Sequence, residues 1–322
     1  MKSEIQLAPD VIREAAQLLR EGKIVAFPTE TVYGLGANAL DASAVQRVFE
    51  LKGRPSTSPL IVHVASVEAA REVVSEWPPL AEQLARRFWP GPLTLVLPKQ
   101  ASIPDIVTAG LDTVGVRVPA HPIALALLRE AKVPVAAPSA NRFMGVSPTT
   151  AEHVRAAFVD AVPVLDGGPC QVGIESTVVA ISGEVVTLLR PGMISLADLR
   201  AATHSRVVVP DAVASAGDAH ASPGLHHRHY SPSTPLFLTD GRGPLHAGTG
   251  AYVWHRTPNP SGQSIKMSDD PERYAAQLYA ALHTLDSKGL DWIAVEEPPD
   301  TPEWSAIRDR LKRAAGLAYG PG

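Results

Sequence analysis

Cysteine occurs once, as Cys170. A single thiol excludes an internal disulfide and a thiolate metal cluster, and it fits a reducing compartment. Long apolar runs are missing as well. Nowhere do about 18 apolar residues follow one another, the length a membrane span needs, and Met1-Lys2-Ser3-Glu4-Ile5-Gln6 lacks the basic start and apolar stretch of an export signal. The chain is therefore expected to be unexported, away from the membrane and cytoplasmic. Positive charge is also in short supply. The formal net charge is -4, which argues against a nonspecific grip on nucleic acid, because that grip draws on many Lys and Arg contacts to phosphate. No G-x-x-x-x-G-K-S/T sequence is present, which excludes a P-loop. If a nucleoside triphosphate binds, scattered groups must hold it.

What is present is enough for real cores. Hydrophobic residues make up 45% and charged residues 19%, the balance of a globular chain. Its 322 residues exceed the roughly 100 to 200 that one core organises, so two domains are expected. Residues 10–20 carry apolar side chains at helical spacing after Pro9 and stop at Gly22, and 23–27 reads as a buried strand. Helices at 41–52, between 67 and 89, at 123–131 and after Pro148 alternate with strands at 60–64, 93–97, 114–118 and 133–137. This is an α/β rhythm. Residues 176–181 and 184–189, joined through Ser182-Gly183, read as a hairpin, which makes the sheet mixed. Beyond about Ala201 the periodicity is lost in a stretch rich in Ala, Ser, His, Pro and Gly. A smaller α/β pattern follows, with strands at 236–238, 251–254 and 292–295 and helices at 271–287 and 303–315. The expected organisation is a first domain over 1–201, a linker over 202–235 and a small α/β domain over 236–322.

Several segments carry chemistry. Phe27-Pro28-Thr29-Glu30-Thr31-Val32-Tyr33-Gly34-Leu35-Gly36 leaves the end of a buried strand, where α/β proteins place ligand sites. A tight turn whose hydroxyls satisfy its own backbone explains it equally well. Lys52-Gly53-Arg54-Pro55-Ser56-Thr57-Ser58-Pro59 sits at a helix end that Gly53 can break and the prolines stiffen. Two cations and three hydroxyls there suit a polyphosphate, with Arg54 as a planar fork and Lys52 as a point charge. A basic helix end favoured by the macrodipole is the plain alternative. Pro138-Ser139-Ala140-Asn141 follows an apolar strand. Ser147-Pro148 reads as the N-cap and first residue of a helix whose N-terminus can hold an anion.

His63 and Arg117 each interrupt an apolar strand. A lone strand histidine is usually a satisfied core residue. A buried guanidinium, by contrast, needs an anionic partner, for which a substrate carboxylate would serve. The run His226-His227-Arg228-His229 has no zinc spacing and no nearby cysteine or acid, so a solvated or lid-forming linker is a better reading than a metal site.

Together these segments resemble the threonylcarbamoyl-adenylate synthases, the YrdC-like family, in the long form with an added C-terminal domain. The resemblance rests on Pro28-Thr29-Glu30-Thr31-Val32-Tyr33-Gly34-Leu35, Lys52-Gly53-Arg54, Pro59-Leu60-Ile61, Trp89-Pro90-Gly91-Pro92-Leu93-Thr94, Gly115-Val116-Arg117-Val118-Pro119 and Pro138-Ser139-Ala140-Asn141, in that order. Long-form members also carry His-His-x-His-Tyr-x-Pro, found here from His226 to Pro232. The resemblance implies a mixed, twisted YrdC-like sheet flanked by helices, followed by a small Rossmann-like α/β domain. The implied reaction condenses L-threonine, bicarbonate and ATP into threonylcarbamoyl-AMP and pyrophosphate, a nucleotidyl transfer. The product would feed a downstream transferase that makes N6-threonylcarbamoyladenosine in tRNA, with direct contact to tRNA left open.

By the same resemblance Lys52, Arg54, Ser139 and Asn141 are catalytic, acting on the phosphates and on magnesium that arrives with ATP, and no protein-only metal site is implied. Arg54, Ser58, Thr113, Ser139, Ser147, Arg190 and Tyr230 would contact ATP. Thr31, His63, Arg117, Ala137 and Ser176 would line the threonine pocket. The linker would fold over the site as a lid. Two other readings are a noncatalytic RNA-binding module, disfavoured by the net charge, and the carbamoyl-adenylate chemistry of hydrogenase maturation, whose proteins carry zinc-finger and acylphosphatase segments absent here.

Overall fold

The computed structural model describes residues 7–159, 161–203, 205–210, 228–242, 246–258 and 263–316. Nine strands build the larger sheet: Val25–Phe27 (β1), Gly34–Asn38 (β2), Ile61–His63 (β3), Leu93–Pro98 (β4), Thr113–Arg117 (β5), Val135–Ala136 (β6), Thr177–Ser182 (β7), Val185–Arg190 (β8) and Arg206–Val208 (β9). They lie in the order β1-β2-β6-β3-β5-β4-β7-β8-β9. Pairing is mixed, as the hairpin predicts: β3–β5 and β4–β7 are parallel, β4–β5 and β7–β8 antiparallel.

Period-two alternation puts the strands' side chains on two faces. Phe27 and Val135 pack with Ile12, Leu19 and Leu127 of the helices Pro9–Arg20 and Pro122–Ala131. Ala26, Leu35 and Ala37 pack with Val48 and Val154 of the helices Ala42–Lys52 and Ala151–Phe158. The sheet's middle holds the largest core, including Val62, Leu95 and Val116.

Three differences from the sequence reading have physical causes. The loop expected over Phe27 to Gly36 ends early, because Gly34 already pairs with Phe27 in β2. Glycine is a poor strand former, yet Gly36 is suited here, since a Cβ would meet Phe27 Cε1 and Val135 Cγ1 at 2.8 Å. The helix expected from Ser147 begins instead at Ala151, with Thr150 as N-cap, and the Ser147 hydroxyl donates to Glu175 Oε1 at 2.6 Å. Finally, β9 adds a parallel strand to β8 at residues 206–208, past the expected boundary at 201.

The C-terminal sheet comprises Leu236–Thr239 (β10), Gly250–Trp254 (β11), Gln263–Lys266 (β12) and Trp292–Glu296 (β13), all parallel, in the order β10-β13-β11-β12. The polar edge strand β12 has no apolar run to announce it. Helices Pro271–Asp286 and Ser305–Ala314 cover this sheet with Leu278, Leu282, Ile307 and Leu311. That core is completed from outside the domain, by Val32, Val146, Ile174 and Tyr230. Gly173 (φ +78°) lets the helix Pro271–Asp286 come close, because a Cβ there would stand 2.5 Å from Ala275 O and Ala276 Cα. The interface between the domains is thus a packed core. No helix among the described residues is long and apolar enough to cross a membrane.

Candidate active site

Strand ends and their following loops converge on a cavity of about 60 Å³. Thr31 reaches it from the loop after β1, Arg54 from the loop after the helix Ala42–Lys52, and His63 and Arg117 from β3 and β5, where the two are register partners. Ala137 and Ser139 follow β6, Ser176 enters β7, Arg190 ends β8, and Tyr230 comes from the linker. The expected threonine set and most of the expected ATP set therefore share one space.

On one side, Arg117 finds the anion it needs within the chain. Its Nη2 lies 2.6 Å from Glu30 Oε1, as an ion pair rather than a directed hydrogen bond. Nη1 donates to Thr31 Oγ1 at 2.9 Å and Nε to Gly91 O at 3.2 Å. Glu30 Oε2 in turn accepts from Ala120 N at 3.0 Å. The substrate carboxylate looked for from sequence is not required to satisfy Arg117; Glu30 serves. Thr29 behaves as the plain turn reading has it, donating to Val32 O at 2.6 Å. Burial, with Arg117 beside it, brings the His63 imidazole down to about 3, so it is neutral at physiological pH. Its Nδ1 is buried without a hydrogen-bond partner among the described residues.

The other side is cationic. Gly53 ends its helix in the left-handed conformation (φ 65°), and Arg54 turns back so that Nη2 donates to Pro59 O at 3.0 Å and Nε to Ser58 O at 3.4 Å. Burial, with Arg190 nearby, brings its guanidinium to about 10, still a cation at neutral pH. Arg190 donates through Nε and Nη2 to Ser176 O at 3.1 and 3.0 Å. Tyr230 is 1% exposed, and its hydroxyl has no hydrogen-bond partner among the described residues. Burial raises that phenol, so it remains a donor.

Lys52 is not among the cavity-lining residues. Its ammonium donates to Ser139 O at 2.6 Å and to Asn141 O, fixing the loop that presents Ser139. Burial, then Arg54 and Arg142, push it well below the usual lysine range. Asn141 Nδ2 donates to Arg142 O and Gly145 O, both at 2.8 Å, leaving Oδ1 buried and unpartnered among the described residues. Ser58 is buried beside Arg54, away from the cavity wall, and Thr113 lines a separate space of about 10 Å³. His226 and His227 lie outside the described residues. His229 is buried against Tyr230, ring centroids 4.1 Å apart.

Sequence reasoning missed Glu175, which lines the cavity and binds across the domain interface. Its Oε1 accepts from Ser147 Oγ at 2.6 Å, and Oε2 from Arg310 Nε at 2.7 Å and Tyr279 OH at 3.0 Å. No local pattern marks it.

Comparison with known proteins gives the family of the chain. The Sua5/YciO/YrdC family, described as telomere recombination, matches residues 17–192. This chain belongs to that family. The C-terminal domain of threonylcarbamoyl-AMP synthases matches residues 194–316, as in the two-domain Sua5 members. The threonylcarbamoyl-AMP synthase of Pyrococcus abyssi is 41% identical over 326 residues, 95% of this chain and 94% of its own. That of Bacillus subtilis is also 41% identical, over 95% of this chain and 93% of its own. The crystal structure of P. abyssi Sua5 complexed with L-threonine matches at a TM-score of 0.89 and 40% identity, covering 97% of this chain and 96% of that one. Escherichia coli YciO matches over 59% of this chain and 92% of its own at a TM-score of 0.51 and 21% identity, a likeness of fold alone.

Proposed function

We propose that this chain condenses L-threonine, bicarbonate and ATP into threonylcarbamoyl-AMP and pyrophosphate, in the cytoplasm, for a downstream transferase that modifies tRNA. The observation that carries this reading is the convergence of two complementary donor sets on one cavity: Thr31, His63 and Ser176 beside Arg117, and Arg54, Ser139 and Arg190 beneath Tyr230. Threonine occupies the first set and the triphosphate the second. The threonine amine, once neutral, takes up the bicarbonate carbon with loss of water to give a carbamate. A carbamate oxygen then forms a bond to the α-phosphorus as the bond to pyrophosphate breaks.

This chemistry needs alignment and charge stabilisation more than a covalent nucleophile. Arg54 and Arg190 bind and stabilise the phosphates, and Lys52 keeps the Ser139–Asn141 loop in place. The buried, unpartnered Asn141 Oδ1 and the neighbouring Ser139 hydroxyl are oxygen donors of the kind magnesium accepts when most of its ligands are phosphates and water. Magnesium arriving with ATP would add charge neutralisation there. Burial raises the Cys170 thiol, and it takes no part.

The linker acts as a lid. Tyr230 lines the cavity and is 1% exposed, so the segment around it is placed to cover bound substrates and exclude water from a labile mixed anhydride.

Two measurements bear on this reading. Pyrophosphate release from ATP is expected to require both threonine and bicarbonate; release without either would point to simple hydrolysis of ATP to AMP and pyrophosphate, and no release to a binding module. Arg117→Lys keeps the charge and loses the fork that holds Thr31 and Glu30. It should raise KM for threonine about tenfold or more with a much smaller change for ATP. Equal losses for both substrates would make Arg117 a general structural residue.

A further inference from the structure

Glu175 is the only acid among the described residues lining the cavity, and it stands next to Ser176, to which Arg190 is anchored. A fixed negative charge on that wall opposes an anionic ligand, and burial leaves it poorly screened. The chain answers from far along its length. Arg310, on the helix Ser305–Ala314, has no exposed surface; its Nε donates to Glu175 Oε2 at 2.7 Å and its Nη2 to Pro191 O at 3.0 Å.

The helix is itself charge-matched, with Arg310 Nη1 donating to Asp309 Oδ2 at 2.7 Å and Arg313 Nε to Asp309 Oδ1 at 3.0 Å. The same helix holds the lid. The Arg310 guanidinium lies 5.2 Å from the Tyr230 ring centroid. The carbonyls of Arg313 and Ala314 accept from His229 N at 3.2 Å and Ser231 Oγ at 3.0 Å.

We infer that Arg310, contributed by the C-terminal domain, is a positioning residue for the nucleotide half of the site, holding the Glu175 carboxylate and offsetting its charge so that the triphosphate meets a cationic wall. This rests on the functional reading above. Burial would raise the Glu175 carboxyl, but the charges of Arg310 and Arg190 outweigh it and hold the group below the usual carboxylate range, so there is a charge to offset. A C-terminal domain that served only as a support for the lid would have no need to bury an arginine against the cavity's acid.

The test is calorimetric binding of magnesium-ATP and of threonine to the full-length protein and to Arg310→Gln, Glu175→Gln and the double variant. Arg310→Gln should weaken ATP about tenfold or more while threonine changes by less than about threefold. Glu175→Gln should bind ATP at least as tightly as the parent, and the double variant should return to within about threefold of it. A merely structural pair predicts the reverse: Glu175→Gln weakens both ligands, and the double variant is no better than Arg310→Gln. If Arg310→Gln does not fold, Glu175→Gln and the double variant, in which no carboxylate is left unpaired, still decide. A parent protein that binds ATP and makes no threonylcarbamoyl-AMP would refute the functional reading while leaving this binding comparison intact.

Discussion

Arg54→Ala should lower the rate of adenylate formation by about a hundredfold or more, the scale expected when one fixed charge-stabilising donor is removed from a dry site. Arg54 lines the cavity, is a cation at neutral pH and is held by the carbonyls of Ser58 and Pro59. Steady-state turnover with saturating threonine and bicarbonate is the measurement, with circular dichroism as the check on folding. Lys52→Ala should lose activity by another route. Its ammonium bonds the carbonyls of Ser139 and Asn141, so its removal releases their loop and should also lower the unfolding midpoint. Turnover of Arg54→Ala within a few-fold of the parent would remove the phosphate assignment from this loop.

Removing the Tyr230 ring should be nearly as damaging. Tyr230→Phe keeps the packing against His229 and Tyr279 and loses only the unpartnered hydroxyl. It should cost about tenfold in kcat/KM for ATP, the worth of one hydrogen bond to a charged group. Tyr230→Ala opens the cavity's roof. It should cost about a hundredfold or more in turnover, and about 3 to 5 kcal/mol of stability if it behaves as other buried aromatic truncations do. Protease protection of the linker should rise on adding ATP and threonine in the parent and not in Tyr230→Ala. A Tyr230→Ala protein that turns over like the parent would reduce the linker to a tether.

The residues legible in the sequence are those whose chemistry clashes with their local pattern. Arg117 and His63 stand out in apolar strands, and Gly53 breaks a helix just before Arg54. Each of the three is placed at the cavity or in the turn that serves it. What stayed hidden depends on partners distant in sequence. Glu175 and Arg310 are 135 positions apart, and within Arg308-Asp309-Arg310-Leu311-Lys312-Arg313 nothing local sets Arg310 apart from its charged neighbours. Only the docking of that helix on the first domain buries Arg310.

The partner of Arg117 was hidden in the same way, since nothing local pairs it with Glu30, and a substrate carboxylate was one anion that would serve. Ser147 misled through a strong local signal, because Ser-Pro is a good helix start but tertiary bonding to Glu175 took its hydroxyl. The strand Gly34–Asn38 was masked by its glycines, whose missing side chains are what let Phe27 and Val135 close over it.

Mass spectrometry of the product formed from ATP, L-threonine and isotopically labelled bicarbonate tests the central claim most directly. The account predicts an adenylate whose mass equals AMP joined to threonine through one carbonyl carbon, with the label in that carbon and one pyrophosphate released per adduct. An adenylate of threonine without the labelled carbon, or AMP and pyrophosphate formed with no adduct trapped at early times, would contradict it.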